Sequence, residues 1–147
     1  MLEKQLVELV QSRESDMAQR WYRDLHESKY VPTMHNVSED EGMRIAISVY
    51  RNLCDWLVRS REVDVKDTYR QFGESVFHRG FDMQEVVMLL VLLKRNLYMH
   101  LLELGLMTTN LNIYQTLELN NKVVLYFDRA MYFALIGFQD GKMALTT

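Results

Sequence analysis

The sequence predicts an all-α fold, a five-helix bundle arranged around one apolar helix at residues 82–104. Three observations carry this. Every residue from 86 to 93 is apolar, and helix caps bracket the run. The 147 residues include one proline and six glycines, too few for a fold rich in strands and tight turns. Elsewhere the apolar residues recur at three- and four-residue steps, the period of helices buried on one side.

The central helix is read from its ends, because a short apolar run alone fits a buried strand as well. Asp82 offers an oxygen to the first-turn N–H groups, and Glu85 three residues on completes a capping box. Phe81 and Val86 flank the cap as a hydrophobic staple. Gly105 suits the left-handed position that closes a helix, with Leu106 folding back on Leu101. About six turns, roughly 33 Å, lie between the caps. A helix apolar on nearly every side is expected to be covered on nearly every side.

The first helix is expected over 2–27, with Leu6, Val10, Met17, Trp21 and Leu25 on one face and Trp21 as core anchor. Residues 11–15 interrupt that stripe with polar groups, and Ser12 or Ser15 can cap a bend or restart. Residues 28–37 hold Pro32, which pushes Val31 towards extended backbone; the segment reads as a connector or as a lid over the bundle. The second helix starts at Ser38, which forms a capping box with Glu41, and acids at 39–41 favour the positive end of its dipole. It carries two apolar faces: Met43, Ile47, Tyr50, Cys54 and Leu57 on one, Ile45, Val49 and Trp56 on the other. The second face needs a second neighbour.

The third helix is expected over 65–79, with Val65, Tyr69, Phe72 and Val76 inward. Gly73 in its middle costs about 1 kcal/mol against alanine, which close approach of another helix would offset. Gly80 is its closing residue and Phe81 packs back on Val76, so a tight corner joins it to the central helix. The fifth helix begins near Thr108 or Thr109. It carries a near-heptad stripe of Ile113, Leu117, Val124, Phe127, Met131, Leu135 and Phe138. A second stripe lies beside it: Leu119, Val123, Tyr126, Ala130 and Phe133. One stripe can cover the central helix; the other is left over and is expected to form a homodimer interface together with helix one. Residues 139–147 are expected to fray.

Net charge is −3, with no basic field for nucleic acid or an anionic membrane. The apolar run is closed by Lys94 and Arg95, far short of the ~20 residues of a membrane span, and the charged start is no signal peptide. The chain reads as one domain, 1–147, in the cytoplasm. The lone Cys54 makes neither an internal disulfide nor a cysteine zinc site and reads as a small buried apolar residue.

Chemistry has little support. His26, His35, His78 and His100 show no metal-binding spacing, and no nucleophile motif or phosphate loop is present. His78, one turn from Glu74, reads as part of a solvated charge cluster. An inward histidine of a bundle can serve as a proximal haem ligand, so His100 or His78 is the candidate in a haem- or small-ligand-binding alternative. Asp128, beside Phe127 and Met131, is expected to form a buried ion pair with Arg79, Lys94 or Arg95. No catalytic residue, metal ligand or cofactor is assigned.

Several segments together resemble a known family. They are Met17-Ala-Gln-Arg-Trp21, Tyr69-Arg-Gln-Phe-Gly73, Phe77-His-Arg-Gly-Phe-Asp-Met-Gln-Glu-Val86, Leu92-Leu-Lys-Arg-Asn-Leu97 and Tyr126-Phe-Asp-Arg-Ala130. The pattern looks like the N-terminal sensor domain of RsbR-type stressosome proteins, the RsbT co-antagonists, and it covers nearly the whole chain. The resemblance implies an all-helical, globin-like bacterial homodimer that need not carry haem. Such a domain relays a signal to a partner such as a kinase or STAS-type regulator. It offers no catalytic residues. The sequence departs from the family in having no STAS domain or kinase after residue 147, so the chain is expected to be a stand-alone version or an excised piece.

Overall fold

The computed structural model describes residues 2–59, 61–103 and 113–145. Among them are five α-helices: α1 Leu2–His26, α2 Glu39–Arg59, α3 Glu62–His78, α4 Met83–Glu103 and α5 Ile113–Ala144, with a 3-10 turn, Pro32–Asn36, between the first two. The fold is an all-α bundle. None of the described helices is long and apolar enough to cross a membrane. The cap at Gly105, the Leu106 contact and the Thr108 or Thr109 start of the last helix lie outside the described residues.

α1 runs unbroken through the polar stretch. Ser12 does not restart it; its hydroxyl donates back to the Leu9 carbonyl (3.0 Å). The glutamate that interrupts the stripe, Glu14, reaches across to Arg51 of α2 in a two-bond pair (2.7 and 3.1 Å). The Trp21 indole N–H donates to the Leu89 carbonyl of α4 (3.2 Å), which anchors α1 to the central helix.

The corner between α3 and α4 follows its sequence signals closely. Gly80 has φ 92°, its N–H donates to Phe77 O, and the Phe81 N–H donates to Val76 O, the bond pair of a Schellman motif. Phe81 and Val76 are both buried. No atom crowds the place of a Cβ at Gly80, so only the backbone angle resists substitution. Gly80→Ala is therefore expected to lower stability by about 1 kcal/mol in urea unfolding, with the slope of the transition unchanged.

Each capping box is half made. Ser38 Oγ accepts from the Glu41 N–H (3.2 Å), while the Glu41 carboxylate turns away to Arg79 (2.7 Å) and ties α2 to the end of α3. Glu85 accepts from the Asp82 N–H (2.9 Å) and also from the N–H and hydroxyl of Thr33 (3.0 and 2.8 Å). Glu85 is only 1% exposed. The proline segment is thus fastened to α4, with Val31, Met34 and Val37 buried beneath it and Tyr22 donating to the Val37 carbonyl (2.6 Å). Glu85→Ala leaves two Thr33 donors and the Asp82 N–H without their acceptor. It is expected to cost about 2–4 kcal/mol and to open residues 31–37 to hydrogen exchange before the rest of the bundle.

α3 and α5 run in the same direction at very close range. A Cβ on Gly73 would fall inside the Ala134 carbonyl oxygen, with the carbonyl carbon at 2.7 Å and the Phe138 nitrogen at 2.8 Å. A Cβ on Gly137 would meet the Arg70 carbonyl in the same way. The approach expected at Gly73 is present, and Gly137 is its counterpart. Further along, Phe77 packs edge-on against Phe138 and Arg70 pairs with Asp140 (2.7 Å). These contacts hold residues 139–144 in α5 as helix, in place of the expected fraying.

The second apolar face of α2 meets α5. The Trp56 N–H donates to the Lys122 carbonyl (3.1 Å), and Tyr126 donates to the Val49 carbonyl (2.9 Å). With its own proton spent there, Tyr126 accepts from the buried hydroxyl of Tyr69. Burial drives the ionisation of Tyr50, Tyr69 and Tyr126 well above the ordinary phenol range, so all three remain neutral donors inside the core. Cys54 is buried and its thiol is pushed up to about 11, first by burial and then by Asp55 and Glu14, which fits an inert core position.

Candidate functional site

Two surfaces stand out among the described residues once the core closes, and neither is the one expected from sequence. Leu119, Val123, Tyr126, Ala130 and Phe133 are buried within the single chain, Tyr126 against α2 and α3. They are not available to a second copy. The reason is geometric: Gly73 and Gly137 bring α3 so close that α5 is covered on two sides, and its second stripe becomes core. The near-heptad stripe divides instead. Phe127 and Phe138 are buried, Val124, Met131 and Leu135 are half-buried, and Leu117 is exposed.

The outward side of α5 carries large apolar residues interspersed with exposed polar ones such as Glu118, Asn121 and Gln139. Tyr114 is 80% exposed and Tyr132 60%, with Leu117, Leu125 and Met143 also open to solvent. Leu117, Val124 and Met131 step by seven residues, and Leu125 and Tyr132 run beside them with the same step. Asp128 lies on this exposed side. The expected buried ion pair therefore does not exist: Asp128 is solvated, Arg79 is committed to Glu41, and neither Lys94 nor Arg95 pairs with Asp128.

α4 is not covered on every side either. Val86, Leu89, Leu90, Leu93, Leu97 and Leu101 point into the core, whereas Val87, Met88, Val91 and Leu92 are half-buried and Met83 and Met99 are exposed. Five helices in this order leave one flank of the central helix facing solvent.

Between that flank and α1 runs a groove of about 380 Å³. Trp21 and Asn96 lie at its base, Met88, Leu92 and Met99 along one wall, and Arg20, Asp24 and Arg95 at its rim. Asn96 is 5% exposed. Its amide nitrogen donates to the Met17 carbonyl (2.7 Å) and to the Tyr50 hydroxyl (3.2 Å), and Tyr50 passes its own proton to the Leu93 carbonyl (2.8 Å). Asn96 Oδ1 is buried with no hydrogen-bond partner, and so is His100 Nδ1 one turn further along α4.

The histidines divide by place. His78 lies 4.0 Å from Glu74, with both side chains more than half exposed, a solvated pair with no walls for a porphyrin. His100 borders a charged trough of Asp16, Arg20, Arg23, Asp24 and Glu27, which does not fit a large apolar macrocycle. His26 and His35, nine positions apart in sequence, have ring centroids 5.6 Å apart, and Tyr22 stacks on His26 at 5.3 Å. Among the described residues no group of three or more metal-binding side chains comes together.

Comparison with family models, with curated proteins and with solved structures finds no match.

Proposed function

We propose that this chain is a non-catalytic, cytoplasmic bacterial signalling module. In this reading it works as a homodimer and relays a cue to a partner regulatory protein, a kinase or STAS-type regulator, in the manner of the RsbR-type sensor domains it resembles. The observation that carries the reading is the set of large apolar residues of α5 left outward after the core is complete, Tyr114, Leu117, Leu125 and Tyr132. Large apolar side chains left exposed along one helix are a feature of interaction sites. Its seven-residue step is the repeat with which one helix packs along another, and an identical helix offers the matching seam. The ionisable groups support the same reading. Glu14–Arg51, Glu41–Arg79, Arg70–Asp140 and Glu3–Lys122 each join two helices. Charges placed this way fix packing geometry, which is the property a relay module has to change.

Sedimentation equilibrium tests the proposal. The protein is expected to be dimeric at micromolar concentration, and Tyr132→Glu is expected to weaken self-association at least tenfold while leaving the helical content unchanged. Wild-type protein that stays monomeric at high micromolar concentration removes the dimer, and with it the relay.

A further inference from the structure

The end of α1 and the turn that follows it bring two histidines together on the surface. His26 is the last residue of α1, and His35 belongs to the 3-10 turn. Their ring centroids are 5.6 Å apart and their planes are tilted by 51°. Both side chains are exposed, and among the described residues neither imidazole enters a hydrogen bond or an ion pair. The backbone beneath them is held. Thr33 is fastened to Glu85, and Met34 is fully buried. Tyr22 serves both elements at once: its ring stacks on His26 at 5.3 Å, and its hydroxyl donates to the Val37 carbonyl just past the turn. The fold thus sets the two rings side by side on supported backbone, the condition for a preorganised pair of ligands.

We infer that His26 and His35 form a two-histidine site for a divalent transition-metal ion such as zinc, and that the bound ion clasps the 3-10 turn to the end of α1. The separation fits. A ring nitrogen binds zinc at about 2.0–2.1 Å and lies about 1.1 Å from the ring centre, so each centre stands roughly 3.2 Å from a shared ion. Two rings at a tetrahedral angle then have centres about 5.2 Å apart, and two rings on opposite sides about 6.4 Å. The observed 5.6 Å falls between these limits. The outer torsion of a histidine is soft, so an exposed ring turns at little cost to aim a nitrogen at the ion. The donor atoms select the class: imidazole suits zinc, copper and nickel, whereas calcium and magnesium take oxygen. Among the described residues no third metal-binding side chain joins the pair, so water completes the coordination and the ion exchanges readily. The site lies within one chain and stands whether or not the protein dimerises.

The test titrates zinc chloride into ¹⁵N-labelled protein. The imidazole nitrogens of His26 and His35 are expected to shift together and to saturate at one ion per chain, at concentrations that leave His78 and His100 unmoved. His26→Ala and His35→Ala change exposed positions and leave the fold intact. Each should weaken binding at least tenfold, and the double variant little further, because one remaining ring has already lost the chelate. The clasp has a readout of its own. The Met34 N–H donates to the Val31 carbonyl and the Val37 N–H to the Met34 carbonyl, so both amides exchange only when the turn opens. With zinc at about a hundred times its dissociation constant, both should exchange about a hundredfold more slowly, since the ion binds only the closed turn. Rings that shift independently, or a single substitution that leaves the affinity unchanged, overturn the shared site. Unchanged exchange of Met34 and Val37 in saturating zinc overturns the clasp.

Discussion

Gly137→Ala is expected to lower the midpoint of thermal unfolding by roughly 10 °C, a loss of about 3 kcal/mol or more for a chain of this size. In an isolated helix the same change is stabilising by about 1 kcal/mol, because alanine holds helical backbone better than glycine does. The sign reverses here because the new methyl group would meet the Arg70 carbonyl, which belongs to the backbone of α3 and cannot swing aside like a side chain. The two helices must separate, and every contact between them then loosens: the tyrosine pair at Tyr69 and Tyr126, the Phe77–Phe138 edge contact and the Arg70–Asp140 bridge. Gly73→Ala should cost a similar amount through the Ala134 carbonyl. The double variant should fall short of the sum, since one separation relieves both clashes. Differential scanning calorimetry checks this. A midpoint unchanged or raised by either single substitution would mean that α3 and α5 do not cross this closely.

What the sequence reveals and what it conceals both follow from distance along the chain. The Gly80–Phe81 corner, the capping roles of Ser38 and Glu85, and the core placement of Trp21 depend on residues within about five positions, or on one dominant hydrophobic side chain. All are legible in the order of residues alone. The close approach at Gly73 is legible too, because a helical glycine needs a reason; its partner at Gly137 carries the same signal in a helix dominated by its apolar stripes. The choice between the two stripes of α5 is not legible. Both are apolar, and the decision is made by where α3 lands, a contact between residues some 60 positions apart. Glu85 shows the same limit. Its reach back to the Asp82 N–H is local, but its two bonds to Thr33 span 52 residues. Asn96 leaves a partial trace. It follows Leu89 and Leu93 on the inward face of α4, so helical spacing alone places a polar side chain near the core; what surrounds its oxygen depends on α1 and α2. His26 and His35 meet only because the 3-10 turn folds back over the end of α1.

The sharpest division between core and candidate interface falls between two adjacent residues, Leu125 and Tyr126. Tyr126 is fully buried, its ring packed against Trp56, Tyr69 and Phe127 and its hydroxyl donated to Val49. Tyr126→Glu places a carboxylate with no cation beside it in that position, removes the aromatic packing and leaves the Val49 carbonyl and the Tyr69 hydroxyl without their partner. Uncompensated burial of a charge costs several kcal/mol even when the group escapes by taking up a proton. Added to the packing loss, the total is expected to exceed about 5 kcal/mol, enough to unfold a domain of ordinary stability. Leu125, one position earlier, is 39% exposed on the outward side of α5, so Leu125→Glu should change stability by less than about 1 kcal/mol in the monomer. If the outward side is the dimer seam, that same substitution should lower the sedimentation coefficient at a concentration where wild-type protein is paired. Circular dichroism and sedimentation velocity on the two variants together separate the possibilities. A folded Tyr126→Glu protein would refute the burial of the second stripe. A Leu125→Glu protein that pairs as tightly as wild type would move the interface away from α5, towards the methionine-bearing flank of α4.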